Sequence, residues 1–155
     1  MNNRPNFFDD PLFMKLYNDD YVIVGSAAAI CHGYEHSNND VDIMMDPKVI
    51  IQLIMEGHLK FVNEDGKIKV KSQSEKIDCG LAHHMISEDE FTSWAVDGEN
   101  FFTIVKGVRK CFRILQKPAL LSFYLDLYDR SRKEKHRNVL LWMLGQEEFC
   151  CHKFS

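Results

Sequence analysis

The sequence predicts an α/β fold leaning towards α+β: a small, mixed, twisted sheet with helices packed mainly on one face and a helix pair closing the C-terminal end. Three observations lead there. Tyr21 to Met45 reads as strand, tight turn, short helix, loop and strand. Short apolar or β-branched runs separated by polar, Gly-containing turns recur between Leu59 and Leu115. From Pro118 onward the apolar spacing becomes helical. With 155 residues and 45% apolar composition, the chain is expected to form one domain over residues 1–155 that buries a core without staples.

Residues Phe7 to Tyr17 place Phe8, Leu12, Phe13 and Leu16 on one face of a predicted short helix. Tyr21-Val22-Ile23-Val24 is too short for a helix, and Gly25-Ser26 ends it where the backbone must turn sharply. Ala27 to Cys31 then favours helix, with small side chains that allow close approach to the sheet. His32, just before Gly33, reads as a helix-ending residue bonded to backbone rather than a base. Asp40-Val41-Asp42-Ile43 alternates with period two, so both carboxylates share one face and Val41 and Ile43 the other.

The two aspartate Cα atoms lie roughly 6.6 Å apart on such a strand, close enough for both side chains to reach a common ion. Like charges so placed repel, and a divalent cation relieves the repulsion. A solvated acidic edge strand is the plainer reading of a bare Asp-x-Asp. The apolar, β-branched residues at 41 and 43 and the Gly-Ser turn upstream favour the ion site.

Asp46-Pro47 is a cap followed by a helix-starting proline, opening a helix from Lys48 to about Glu56 that stops at Gly57. Leu59–Val62 and Lys67–Lys71 flank Asn63-Glu64-Asp65-Gly66 as a hairpin, and Glu75 to Gly80 reads as a strand carrying Asp78. Ser87-Glu88-Asp89-Glu90 opens a predicted helix leading to Phe91 and Trp94. Phe101–Val105 and Val108–Leu115 are predicted strands around a Lys106-Gly107 turn. Pro118 to Tyr128 is apolar on most faces and is expected to be largely buried, and a last helix from Lys133 to Leu144 turns Val139, Leu140, Trp142 and Met143 to the core.

The stretch from Tyr21 to Met45 resembles the active-site signature of the DNA polymerase β-like nucleotidyltransferase superfamily, in which a hydrophobic strand, Gly-Gly or Gly-Ser, a helix and Asp-x-Asp on the next strand recur. It is most similar to small antitoxin-like and abortive-infection-like members, whose pattern is close to V-G-G-x-A-x-x-x-H-G followed by R-x-T-x-D-x-D. Here the matching residues are Val24, Gly25, Ser26, Ala28, His32 and Gly33, then His36, Asn38, Asp40 and Asp42. His36 stands where the pattern has Arg and Asn38 where it has Thr. The segment from Pro118 to Lys135 resembles the family's closing helix pair, with Tyr124 where relatives often carry Lys.

The resemblance implies a nucleotidyltransferase fold and transfer of a nucleoside monophosphate from an NTP, ATP first among them, to a hydroxyl. It implies Mg²⁺, or Mn²⁺ in its place, held by Asp40, Asp42 and Asp78, with Asp78 helping to remove the acceptor's proton. Gly25, Ser26, His36, Asn38, Lys133 and Lys135 are the implied nucleotide ligands. The acceptor is open between a protein, an RNA and a small molecule. The departures at 36, 38 and 124 motivate an alternative: a nucleotidyltransferase fold kept as a binding module with weak or no catalysis. An aspartyl phosphatase would want its Asp pair directly after the first strand, and a metal-dependent glycosyltransferase usually needs a longer chain.

Composition narrows the setting. No apolar run approaches the ~20 residues of a membrane span, and the start MNNRPNFFDD lacks a signal peptide's basic and apolar regions, so a cytoplasmic protein without membrane partners is expected. Five cysteines at irregular spacing argue against a disulfide framework, and Cys150-Cys151-His152, with His83-His84 as potential co-ligands, lacks the Cys-x-x-Cys pair of a zinc site. Charge is divided along the chain. Residues 1–105 hold 8 Lys and Arg against 18 Asp and Glu, whereas residues 106–137 hold 10 against 3. Such halves suit a cleft where metal and polyphosphate meet, although single charges among them are equally compatible with an ordinary solvated surface.

Overall fold

The computed structural model describes residues 9–17, 20–35, 40–81 and 95–146. Its centre is the segment whose pattern was most legible. Strand β1 (Tyr21–Val24) is wholly buried, α1 (Gly25–Cys31) follows without a linker, and β2 (Val41–Met45) returns antiparallel to β1, pairing Val24 with Asp42. Asp40 lies just outside β2, which begins one residue later than the alternation predicts.

Helix α2 (Pro47–Met55) starts as expected, with Asp46 Oδ1 accepting from the Lys48 backbone N–H at 2.8 Å. Strands β3 (Leu59–Glu64) and β4 (Lys67–Ser72) form a hairpin, β5 (Ile77–Leu81) follows, and β6 (Ala95–Val105) and β7 (Val108–Leu115) form a second hairpin. The seven strands make one sheet in the order β3-β4-β5-β2-β1-β7-β6. β2 runs parallel to β5 and β1 parallel to β7, while the remaining pairs are antiparallel, so the sheet is mixed as predicted. Helices α3 (Lys117–Ser131) and α4 (Glu134–Leu144) form the closing pair, and α1 packs between β1, β2, β7 and α3. Side chains of β1, α1 and β2 join Phe112, Ile114, Leu120, Val139 and Met143 in the core.

The differences from the sequence reading have local causes. The N-terminal helix is a 3₁₀ turn over Pro11–Lys15, because Asp10 caps it at Leu12 N and Pro11 fixes its start, while Leu12, Phe13 and Leu16 are buried as their spacing predicts. The loop read as Asn63 to Gly66 is only Asp65-Gly66, with φ of 53° and 80°. Positive φ at both central residues matches the twist of a two-residue hairpin, which lets Asn63 and Glu64 join β3.

β6 is six residues longer at its start than the predicted Phe101–Val105, with a register irregularity between Asp97 and Phe102. α3 is less buried than its composition predicts: Ala119, Leu120 and Tyr124 are buried, but Leu125 is exposed and Phe123 and Leu127 are only partly covered, because that flank lines a cleft. Trp142 likewise is partly covered, tilted against Tyr34 at 5.2 Å between centroids. Phe8, His36, Asn38, the predicted helix from Ser87, and the terminal Cys150-Cys151-His152 lie outside the described residues. Cys31, Cys79 and Cys111 are free thiols, and no described helix is long and apolar enough to cross a membrane.

Candidate functional site

The carboxylates come together through strand register. β2 and β5 run parallel with Asp42 opposite Asp78, so the two side chains leave one face on neighbouring strands about 4.8 Å apart. Gly25 sits beside them at the end of β1 with φ of 66°, and a Cβ there would lie 3.3 Å from Asp42 Oδ2. Glycine is therefore required twice, for the left-handed backbone and for the space that brings α1 against the carboxylate. Val41 and Ile43, on the opposite face, are both 1% exposed and anchor the strand.

Above this floor lies a cleft of about 790 Å³. Gly25, Ser26, Asp42 and Asp78 line it from the sheet, and Tyr124, Lys133 and Lys135 from the closing helices. Ile68, Phe123, Leu127 and Tyr34 add apolar and aromatic surface to the same walls. Of the residues expected to act, Gly25, Ser26, Asp42, Asp78, Lys133 and Lys135 thus share one cavity. Asp40 is exposed and precedes β2, near enough to act on Asp42 through its charge but outside the cleft wall. Among the described residues no three His, Cys, Asp or Glu side chains are grouped closely enough to hold one ion, so the expected convergence of Asp40, Asp42 and Asp78 is reduced to the Asp42–Asp78 pair.

A lysine explains part of that difference. Lys71 stands opposite Asp78 on β4, and its Nζ lies 3.2 Å from Asp78 Oδ1 and 2.8 Å from Glu64 Oε2. Glu64 also receives Lys69 at 3.1 Å, so one glutamate bridges two lysines beside the carboxylate pair. Hydrogen bonding to Glu64, and secondarily to Asp78, raises the Lys71 pKa against the opposing cost of desolvation. Lys71 is only 8% exposed, yet it is covered by its partners rather than by depth, so water still screens the network. Asp78 Oδ1 is buried with that ion pair but no aligned hydrogen bond.

Asp42 is open to cleft water on one side and enclosed by protein on the others. Burial, then the charges of Asp78 and Asp40, push its pKa up to about 6, with Lys69 and Lys135 pulling the other way. This crowding of hard oxygen donors is what a divalent cation relieves, and the Asp42–Asp78 pair is of the chemistry that Mg²⁺ or Mn²⁺ takes. Tyr124, in the place where the resemblance puts a Lys, is 2% exposed, and burial followed by Asp42 and Tyr34 keeps its hydroxyl protonated far above neutral pH.

Sequence reasoning did not find Lys69, Lys71 or His136. Lys67, Lys69 and Lys71 alternate with period two on the strand before Asp78, a pattern that places them on one face beside an acidic neighbour. His32, read as a helix end, is one: its backbone N–H bonds Ala28 and Ala29 carbonyls and its Nε2 contacts Leu115 O at 2.8 Å.

No family model matches the sequence, and neither does any curated protein. Solved structures do match. A candidate nucleotidyltransferase from Thermotoga maritima superposes with a TM-score of 0.52 at 15% identity, over 92% of this chain and 96% of its own. The antibiotic-resistance factor ANT(2'')-Ia gives 0.49 at 15% identity, over 84% and 77%. An antigenic nucleotidyltransferase-like protein from Paracoccidioides brasiliensis gives 0.49 at 13%, over 87% and 69%. Mixed sheet, Gly-Ser turn, paired aspartates and closing helices thus sit in an architecture already solved in another protein, and the fold of this chain is similar to that of the candidate nucleotidyltransferase from Thermotoga maritima.

Proposed function

We propose that this chain transfers a nucleoside monophosphate from an NTP, ATP first among them, to a hydroxyl of a protein, an RNA or a small molecule, forming a phosphate ester as the α–β phosphoanhydride bond breaks and pyrophosphate leaves. One observation carries the reading: Asp42 and Asp78 face each other in register on the floor of a cleft whose helical wall bears Lys133 and Lys135. Asp42 and Asp78 would hold Mg²⁺ or Mn²⁺, with Asp40 adding negative charge beside them. A bound divalent ion supplies neutralisation of the triphosphate and acidifies the acceptor hydroxyl. Asp78 accepts the acceptor's proton, with the Lys71 ammonium 3.2 Å away as its ion-pair partner. Gly25 leaves bare backbone where phosphate oxygens approach, and Ser26 adds a hydroxyl at the same place. Lys133 and Lys135 attract the polyphosphate, while Phe123, Leu127 and Tyr34 offer the apolar surface a base stacks on. His36 and Asn38 complete the ligand set expected from the resemblance.

Incubation with each labelled NTP, Mg²⁺ and a cell lysate tests this directly. Label should pass to one macromolecular or small-molecule class from the wild type and not from Asp42→Asn. No transfer from any NTP would defeat the proposal.

Lys71 favours a second reading, in which the fold is kept as a binding module with weak or no catalysis. An ammonium already neutralising Asp78 lowers that carboxylate's demand for an ion. Isothermal titration with Mg²⁺ and ATP separates the two, because a pure interaction module gives no metal-dependent nucleotide heat.

A further inference from the structure

The elbow between α3 and α4 places a hydrogen-bonded pair at the cleft, away from the carboxylates. Ser131 is the last residue of α3, Arg132 makes the bend with φ of 55°, and His136 lies in the first turn of α4. Ser131 Oγ is 3.3 Å from the Lys133 backbone nitrogen and 2.6 Å from His136 Nδ1. The Lys133 N–H can only donate, so Oγ accepts from it, which leaves the hydroxyl's own proton to be given to Nδ1. An imidazole that accepts at Nδ1 carries its proton on Nε2.

The ring is also held edge-on by Tyr124, 6.1 Å between centroids. His136 lines the cleft together with Lys133 and Lys135, and with Nδ1 engaged its remaining polar atom is the Nε2–H. Desolvation, then Lys135 and Lys133, lower its pKa, so the neutral ring persists at neutral pH.

We propose that His136, fixed by Ser131 as the Nε2–H tautomer, is a ligand of the nucleotide's polyphosphate, donating from a set direction where Lys133 and Lys135 supply charge. This rests on the nucleotide reading of the cleft. Lysine ammonium groups attract phosphate without prescribing its orientation, because their stems are flexible and their donors rotate. A ring oriented from two sides prescribes one. Ser131 is then a positioning residue, and His136 is a donor and not a base, since neither nitrogen is available to take a proton.

The test uses the full chain, inorganic tripolyphosphate with Mg²⁺ as the titrant, and proton–nitrogen correlation spectra that report imidazole tautomers. The spectra should show His136 unprotonated at Nδ1. In His136→Gln the amide nitrogen stands near the position of Nε2, so affinity should stay within about threefold of wild type. In His136→Asn it stands near Nδ1, and affinity should fall about tenfold or more, the effect of losing a hydrogen bond to a charged group. Ser131→Ala should populate both tautomers and weaken binding several-fold, and Ser131→Thr should restore both. If His136→Asn does not fold, the spectra and the Ser131 pair decide. A proton on Nδ1 in the wild type, or equal affinity in all variants, overturns the proposal for His136 while leaving the nucleotide site standing. Absence of tripolyphosphate heat from the wild type overturns both.

Discussion

Asp42 is constrained from three sides: it pairs Val24 in one direction, Asp78 in the other, and lies against Gly25. Its raised pKa makes a signed prediction for the metal-free protein. A carboxyl with a folded pKa of about 6, above the ordinary aspartate value of 3.8, binds a proton more tightly when folded. Its contribution therefore favours the fold when protonated and is lost as pH rises through about 6. Cleft water screens the effect to about 1 kcal/mol. Urea denaturation with chelator present, at pH 5 and pH 7, should show wild type losing more stability between the two than Asp42→Asn. Equal losses would remove the argument for crowding. Gly25→Ala should cost about 1 kcal/mol or more from positive φ alone, and the new methyl should press on Asp42 Oδ2, so nucleotide binding should fall further than stability does.

At the scale of elements, the β3–β4 hairpin delivers Lys69 to the cleft and Lys71 to Asp78, and its two-residue turn sets their register. Gly66→Val should destabilise by about 1–2 kcal/mol, because a β-branched residue resists φ of 80°, and should weaken Lys71's hold on Asp78; denaturation and the pH titration of nucleotide binding would show it. A variant with unchanged stability would mean that the turn does not set the register. The same hairpin shows what the sequence conceals. Tyr21 to Val24, the Gly25 turn and the alternation at Asp42 were legible because each is a local pattern with a backbone cause. Lys71 was not, since its role depends on β4 lying beside β5, a pairing between segments that no local period specifies. Asp65-Gly66 was read too long for a related reason: polar Asn63 and Glu64 resemble loop residues, and only cross-strand pairing with Ile68 and Lys67 makes them strand. His136 was hidden likewise, because Ser131 five residues away gives it meaning only once the elbow has formed.

Across the whole molecule, the paired aspartates of the sheet and the lysines at the start of the last helix meet at one cleft, and the final prediction asks whether an ion joins them. Mg²⁺ or Mn²⁺ should raise the melting temperature of the wild type, because a ligand bound only by the folded state stabilises it by mass action. Asp42→Asn should lose that rise while remaining as stable as the metal-free wild type or slightly more so, since removing one of two facing carboxylates relieves repulsion. Val41→Asn is the matching control one residue away. It leaves both carboxylates in place but puts an amide at a position 1% exposed, so it should destabilise by roughly 1–3 kcal/mol and keep the metal response. The two variants should therefore move in opposite ways on two axes, stability and metal response. If Asp42→Asn unfolds the protein as Val41→Asn does, the carboxylate is a structural hydrogen-bonding group and the ion site is lost with it. If instead stability holds and the metal response disappears, the sheet has placed Asp42 for binding rather than for folding, at the point where strand register and the bare backbone of Gly25 leave space for a ligand.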